Sequence, residues 1–273
     1  MVNIIPIFLI LLSTLLSSSH GNVIESRLCG GRVFVENTIV IEAPVHEDCH
    51  WDIQTQEDRI LVITALNGDL KEAQEFLAIH DGSGKESPIL LVENQKKHER
   101  SRKDLPVAVY TTQSTASIRF KKAPTSNLQL KIQKAVECPF SLGTESQCGR
   151  VVDEVSCYCA TFTKRNHGSQ TSYCNSHIMK LLTLETNEKE QAIHAAWGYE
   201  SYFWTSLTDA QQEGHWYWQS TGVNLYPGYA NWCDTQPDDA NGEDCMHINY
   251  RATGCWNDYA CSLQFDAICQ AIP

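Results

Sequence analysis

Asn231-Trp232-Cys233-Asp234-Thr235-Gln236-Pro237-Asp238-Asp239-Ala240-Asn241-Gly242-Glu243-Asp244-Cys245, with Trp256-Asn257-Asp258 a short way beyond, is the stretch on which the reading of this chain turns. Oxygen-bearing side chains crowd together between cysteines, and Arg251 is the one cation nearby. Carboxylates set this densely repel one another unless solvent or a cation screens them. A hard divalent ion that takes six to eight oxygen ligands, Ca²⁺ above all, suits such a set.

Charge extends the same reading outward. Residues 22–134 hold 15 Lys/Arg against 16 Asp/Glu, whereas residues 135–273 hold 6 against 17, so the second half supplies nearly all of the chain's −12. Nucleic acid and anionic lipid are poor partners for so acidic a half, and no nucleic-acid contact is expected. The start of the chain reads differently. An apolar run from Ile4 to Leu16 precedes Ser17-Ser18-Ser19-His20-Gly21, the layout of a secretory signal peptide over 1–21, although no Lys or Arg precedes the run. A signal anchor is the alternative. No other apolar stretch is long enough to cross a bilayer, so a secreted, extracellular protein without membrane insertion is expected from Asn22 onward. All 12 cysteines follow that segment, an even number suited to disulfides in an oxidising compartment. Cys157 and Cys159 come closest to a zinc-ligand pair, but no second pair accompanies them. No Asn-x-Ser/Thr acceptor for N-glycosylation is present.

Length and charge divide the chain into 22–134 and 135–273. The first part reads as short strands (59–64, 76–79, 89–92, 107–110, 117–121 and 128–133) separated by turns at Asn67-Gly68-Asp69 and Asp81-Gly82-Ser83-Gly84. Strands at this spacing without helical runs predict a β-sandwich. Cys29-Gly30-Gly31, Cys49-His50-Trp51-Asp52-Ile53 and Phe76-Leu77-Ala78-Ile79-His80-Asp81-Gly82 together resemble a CUB domain. The resemblance implies a Cys29–Cys49 disulfide and a structural or protein-contact role. The family's calcium site looks lost, since Lys71 and Gln113-Ser114 fall where acids are required and only Glu75 stands near its place. His46-Glu47-Asp48-Cys49-His50 fits H-E-x-x-H, a zinc-protease signature. That chemistry needs a helix, whereas Pro44 precedes the motif and Trp51 and Ile53 alternate as in a strand. The basic run from Lys96 to Lys103 is a solvated loop or a polyanion contact, weakened by Glu99 and Asp104.

The second part has helical character over 172–182 and 187–197, with Asn187 and Glu190 as an N-cap and capping-box pair. Short strands and long loops follow, which predicts an α+β unit. Trp204-Thr205-Ser206-Leu207, Gln236-Pro237-Asp238, Glu243-Asp244-Cys245 and Trp256-Asn257-Asp258, in this order and in register with the cysteines, resemble the C-type lectin-like domain. Ser206 stands where that family has Gly. The resemblance implies disulfides Cys174–Cys269 and Cys245–Cys261. Cys233 and Cys255 flank the acidic motifs and are expected to pair, while Cys138, Cys148, Cys157 and Cys159 permit three connectivities.

Carried over residue by residue, the resemblance implies a sugar-binding Ca²⁺ held by Gln236, Asp238, Glu243, Asn257 and Asp258. Gln236, Asp238, Glu243 and Asn257 would also hydrogen-bond two sugar hydroxyls, and a cis peptide would precede Pro237. An auxiliary calcium site would draw on Asp209, Glu213, Asp239, Glu243 and Asp244. Gln-Pro-Asp in place of Glu-Pro-Asn implies a galactose-type glycan. Such binders usually carry a Trp just after the motif, where this chain has Ala240-Asn241, so Trp232, Tyr250 or Tyr259 would have to supply the apolar contact. The expected function is calcium-dependent glycan recognition, used in innate immunity, with a possible protein partner at the CUB-like part. The alternatives are a protein-interaction module in which calcium is only structural and, more remotely, a zinc metalloprotease. No nucleophile elbow or phosphate loop is present, so no enzyme is expected.

Overall fold

The structure is a computed structural model that describes residues 22–23, 29–43, 47–91, 100–101, 107–122 and 127–273. The signal-peptide reading of 1–21, His46 of the H-E-x-x-H pattern and the basic run from Lys96 to Lys103 except Arg100 and Ser101 lie outside the described residues.

In the first part, strands of alternating burial form two sheets. A five-stranded sheet runs in the order Asn22–Val23, Thr38–Glu42, Gln129–Ala135, Ile60–Asn67, Ala108–Tyr110. A four-stranded sheet runs Gly31–Phe34, Cys49–Gln54, Thr115–Phe120, Leu77–Asp81. Side chains on a strand alternate between faces. Ile39, Ile41, Ile63, Leu130 and Ile132 of one sheet therefore meet Trp51, Ile53, Ile79, Ile118 and Phe120 of the other in one core. Trp51 and Phe120 pack edge to face at 5.7 Å, and the Cys29–Cys49 disulfide closes the sandwich beside them. Ile89 makes only an isolated bridge to His80 rather than opening a strand.

In the second part, the strands Cys157–Arg165, Phe265–Ala271, Phe203–Thr208 and Cys245–Ile248 pair in that order, and Asn257–Tyr259 pairs with Cys245–Ile248. Helix α1 spans His167–Ser176 and helix α2 spans Asn187–Trp197. Helix α1 begins earlier and ends sooner than the sequence reading placed it. Its buried stripe is His167, Gln170 and Cys174, which carries little apolar periodicity to read. Asn166 caps it by accepting from the Ser169 N–H at 2.8 Å. The cap of α2 is Thr186, which accepts from the Lys189 N–H at 3.2 Å, not Asn187. Glu190 is therefore one residue too far along for a capping box and turns inward.

Trp204, fully buried, donates its Nε1–H to the Arg165 carbonyl at 3.2 Å and packs against His167, His247 and Phe265. Ser206, in place of glycine, pairs its buried hydroxyl with Ser220 at 2.8 Å, which satisfies the added polar group. The disulfides join Cys138–Cys157, Cys148–Cys159, Cys174–Cys269, Cys233–Cys255 and Cys245–Cys261. Cys148 and Cys159 face each other in antiparallel register, which selects that connectivity from the three. The two parts touch where Lys131 pairs with Glu154, Tyr110 donates to the Glu154 carbonyl at 3.0 Å, and the Arg150 guanidinium lies 4.3 Å from the Tyr110 ring.

Candidate functional site

The chain between Leu225 and Cys245 has no regular strand and is held at both ends. At its start the Trp256 N–H donates to the Asn231 carbonyl at 2.8 Å, and the Cys233 N–H donates to the Trp256 carbonyl at 2.9 Å. The Cys233–Cys255 disulfide locks the same crossing covalently. At its end, Cys245 opens the strand that pairs Met246 with Asp258 and His247 with Asn257. The acidic loop is thereby laid against the strand that bears Asn257 and Asp258.

This arrangement brings one carboxylate oxygen each from Asp238, Glu243 and Asp258 within 4.8 Å of one another. Asp258 is fully buried, and its Oδ2 accepts from the N–H groups of Asp238 (3.0 Å) and Asp239 (2.8 Å). Its Oδ1 is buried without a hydrogen-bond partner, and so is Oε1 of Gln236. The Gln236–Pro237 peptide is cis. Asn257 is buried beside them, with its Nδ2 donating to the Asp258 carbonyl. Burial and the charges of Asp258 and Asp238 push the Glu243 carboxyl above the ordinary carboxylate range. Burial, and to a smaller extent Asp238, does the same to Asp258.

A second group lies beside the first. Asp209, just past the Phe203–Thr208 strand, approaches Glu213 and Asp244 within 4.8 Å. Its Oδ2 accepts from the Gly214 N–H at 2.9 Å, while its buried Oδ1 has no hydrogen-bond partner. The Asp209 N–H and the Thr208 hydroxyl both donate to the Asp244 carbonyl, at 3.2 and 2.6 Å, which ties the two segments together. Asp239 is not within this triplet. Its Oδ1 accepts from the Glu243 N–H at 2.9 Å, and its charge reaches both Glu213 and Glu243. Burial raises the Asp209 carboxyl, and Asp244 raises it further. Two carboxylate triplets with orphaned buried oxygens form a donor set of hard oxygens, and a Ca²⁺ ion fits that chemistry.

The aromatic residues near this loop are largely committed elsewhere. Trp232 packs on Trp216 (4.9 Å) and Trp256 (5.7 Å), and donates its Nε1–H to the Tyr226 hydroxyl at 3.2 Å. Tyr259 packs against His247 and Phe265, and Tyr250 lies beneath the Arg251 guanidinium at 4.8 Å. Tyr226, which no motif or spacing in the sequence marks, is 56% exposed. Its place before a proline in a loop gave no periodic signal to find it by.

In the first part, His50 sits on the Cys49–Gln54 strand, not on a helix. Its Nε2 meets both the Ser117 hydroxyl (2.8 Å) and Asp52 (3.2 Å). A relay would need the two on opposite ring nitrogens, and Ser117 is fully buried. Gln113 donates to the Asp81 carbonyl at 3.0 Å, and the Asp81 carboxylate is taken up by Thr112.

Comparison with known proteins places the second part. The family model described as the lectin C-type domain matches residues 163–271. The mouse protein "C-type lectin domain family 10 member A" is 30% identical over 203 residues, which cover 66% of this chain and 64% of that protein. For the human protein of the same name the figures are 29% over 137 residues, 47% and 42%. This chain thus spans less than two thirds of either. The "alpha-N-acetylgalactosamine-specific lectin" of Patiria pectinifera is 30% identical over 124 residues, covering 45% of this chain and 68% of that one. Among solved structures, the carbohydrate-recognition domain of the mouse scavenger receptor C-type lectin is 30% identical, covers 43% of this chain and 88% of its own, and superposes with a TM-score of 0.40. The names of these similar proteins describe lectins. Among the described residues, no helix is long and apolar enough to cross a membrane.

Proposed function

Since the chain belongs to the C-type lectin family, we propose that it is an extracellular, calcium-dependent glycan-binding protein whose ligand site is the loop between Gln236 and Asp258. The observation that carries this reading is the pair of orphaned oxygens, Gln236 Oε1 and Asp258 Oδ1, beside the clustered carboxylates of Asp238 and Glu243. Gln236, Asp238, Glu243, Asn257 and Asp258 would hold the ion. When bound, the calcium supplies open coordination places for two neighbouring sugar hydroxyls. The side chains do the rest. Carboxylates only accept hydrogen bonds, whereas the amide of Gln236 also donates, so Gln-Pro-Asp offers a donor before the proline and an acceptor after it. That order favours a galactose-type glycan, and the name of the Patiria pectinifera relative points the same way. Asp209, Glu213 and Asp244, with Asp239 and Glu243 alongside, would hold a second calcium that stiffens the loop.

Residues 1–21 are proposed as a signal peptide, 22–134 as a CUB-like domain that contacts a protein partner, and 135–273 as the lectin domain. Recognition of foreign or self glycans in innate immunity is the use proposed for the whole. The test is a glycan array probed with the purified protein in calcium and in EDTA, followed by competition with free galactose and mannose. Calcium-dependent binding displaced better by galactose is the expected result. Binding unchanged in EDTA would overturn the reading.

A further inference from the structure

Resting on the calcium reading above, we infer that Glu190 of helix α2 is a positioning residue for the candidate calcium site, clamping from behind the two chain segments whose register sets the site's geometry. Glu190 is 2% exposed, and a buried carboxylate is costly unless its oxygens are filled with donors. The donors come from outside its own helix. Oε1 accepts from the Trp256 indole at 2.8 Å, Oε2 accepts from the Tyr229 hydroxyl at 2.6 Å, and the Asn231 amide lies 3.3 Å from both oxygens. His194, one turn along, places Nε2 at 3.4 Å from Oε1.

These donors are not scattered. Trp256 immediately precedes Asn257 and Asp258, while Tyr229 and Asn231 lead into Cys233 and the loop bearing Gln236, Asp238 and Glu243. One side chain therefore grips both arms of the site where the backbones of Asn231, Cys233 and Trp256 cross. The disulfide Cys233–Cys255 fixes the distance between the arms, and Glu190 fixes their rotation relative to the helix. The Tyr229 hydroxyl, protonated at neutral pH as any tyrosine is, is pushed further above its usual range by burial and by the Glu190 carboxylate it donates to. Glutamine has the same shape but only one accepting atom, and its amide would face a donor. Glu190→Gln must therefore drop one arm.

The experiment is calorimetric titration of the full chain with calcium for the wild type, Glu190→Gln, Trp256→Phe, their double variant and Tyr229→Phe. Losing a charge-assisted hydrogen bond that orders the site is expected to weaken calcium binding about tenfold in Glu190→Gln. If Glu190 acts through the Trp256 arm, the double variant binds no more weakly than the weaker single variant. Two residues acting on the site independently would instead multiply the two losses. Wild-type affinity in Glu190→Gln, or multiplied losses in the double variant, overturns the inference. No calcium binding by the wild type overturns the functional reading beneath it instead. Should Glu190→Gln fail to fold, Tyr229→Phe decides: a loss of about threefold is expected from removing one hydroxyl partner, and an unchanged affinity refutes the clamp.

Discussion

Asp258→Asn separates a ligand site from an ordinary buried acid, because the two predict opposite signs for stability. The Asp258 carboxylate approaches those of Asp238 and Glu243 within 4.8 Å. Asp238 is exposed and Glu243 half-exposed, so each repulsive pair costs about 1 kcal/mol, toward the watery end of the Coulomb range. The substitution removes two such pairs, while an amide oxygen still accepts from the Asp238 and Asp239 N–H groups. Net stability in EDTA should therefore stay level or rise by about 1 kcal/mol, roughly 4 °C in melting temperature for a unit of this size. The wild type should gain about 2.7 kcal/mol, near 10 °C, at calcium one hundred times its Kd. The variant should lose nearly all of that gain. Differential scanning calorimetry in EDTA and in calcium reads both numbers. A variant much less stable in EDTA, yet still raised by calcium as the wild type is, would make Asp258 an ordinary buried acid and not a ligand.

Replacing Cys233 and Cys255 with alanine opens a crosslink of sequence separation 22. Chain-entropy loss predicts a cost of about 3 kcal/mol in denaturant unfolding, together with weakened calcium binding because the two arms of the loop come apart. His247, fully buried among Tyr202, Trp204 and Phe265, has its pKa pushed down to about 4 by burial. The unfolded chain takes up this proton first, so the His247 contribution is complete above about pH 6.5 and is lost as pH falls toward 4, for about 3 kcal/mol in all. The raised carboxyls of Asp209, Glu243 and Asp258 act with the opposite sign, stabilising the calcium-free fold as they take up protons. Comparing the pH dependence of unfolding in EDTA between wild type and His247→Phe isolates the first effect; equal acid sensitivity in the two would contradict it. Finally, Gln236→Glu with Asp238→Asn exchanges donor and acceptor around Pro237. Competition assays should show the galactose-to-mannose preference falling at least about tenfold, and an unchanged ratio would place specificity elsewhere.

Much of the site is legible in one dimension because its carboxylates cluster in sequence: Asp238, Asp239, Glu243 and Asp244 share one loop. The period-two strands of the first part are legible for a similar reason, since one face of each, as in Leu128-Leu130-Ile132, is apolar. What escapes is whatever depends on side chains meeting across the fold. Glu190 reads locally as a capping residue, and only the tertiary approach of Tyr229, Asn231 and Trp256 reveals its other use. Helix α1 hides because its inward stripe is polar, with His167 Nε2 donating to the Thr205 carbonyl at 2.8 Å and the Gln170 amide donating to the Phe265 carbonyl at 2.7 Å. The pairing of Cys148 with Cys159 follows from strand register, which four nearby cysteines cannot disclose. Asp239 is assigned to the auxiliary site by motif position, while the fold gives its carboxylate to the Glu243 N–H.

If the loop between Gln236 and Asp258 binds a glycan through calcium, as proposed, titrating purified protein with galactose-type ligand, first in calcium and then after EDTA, reads that dependence. Saturable binding that disappears with EDTA, returns on adding calcium and is absent in Asp258→Asn is the result predicted. Equal binding in both conditions, or calcium uptake with no glycan bound at any concentration, would contradict it.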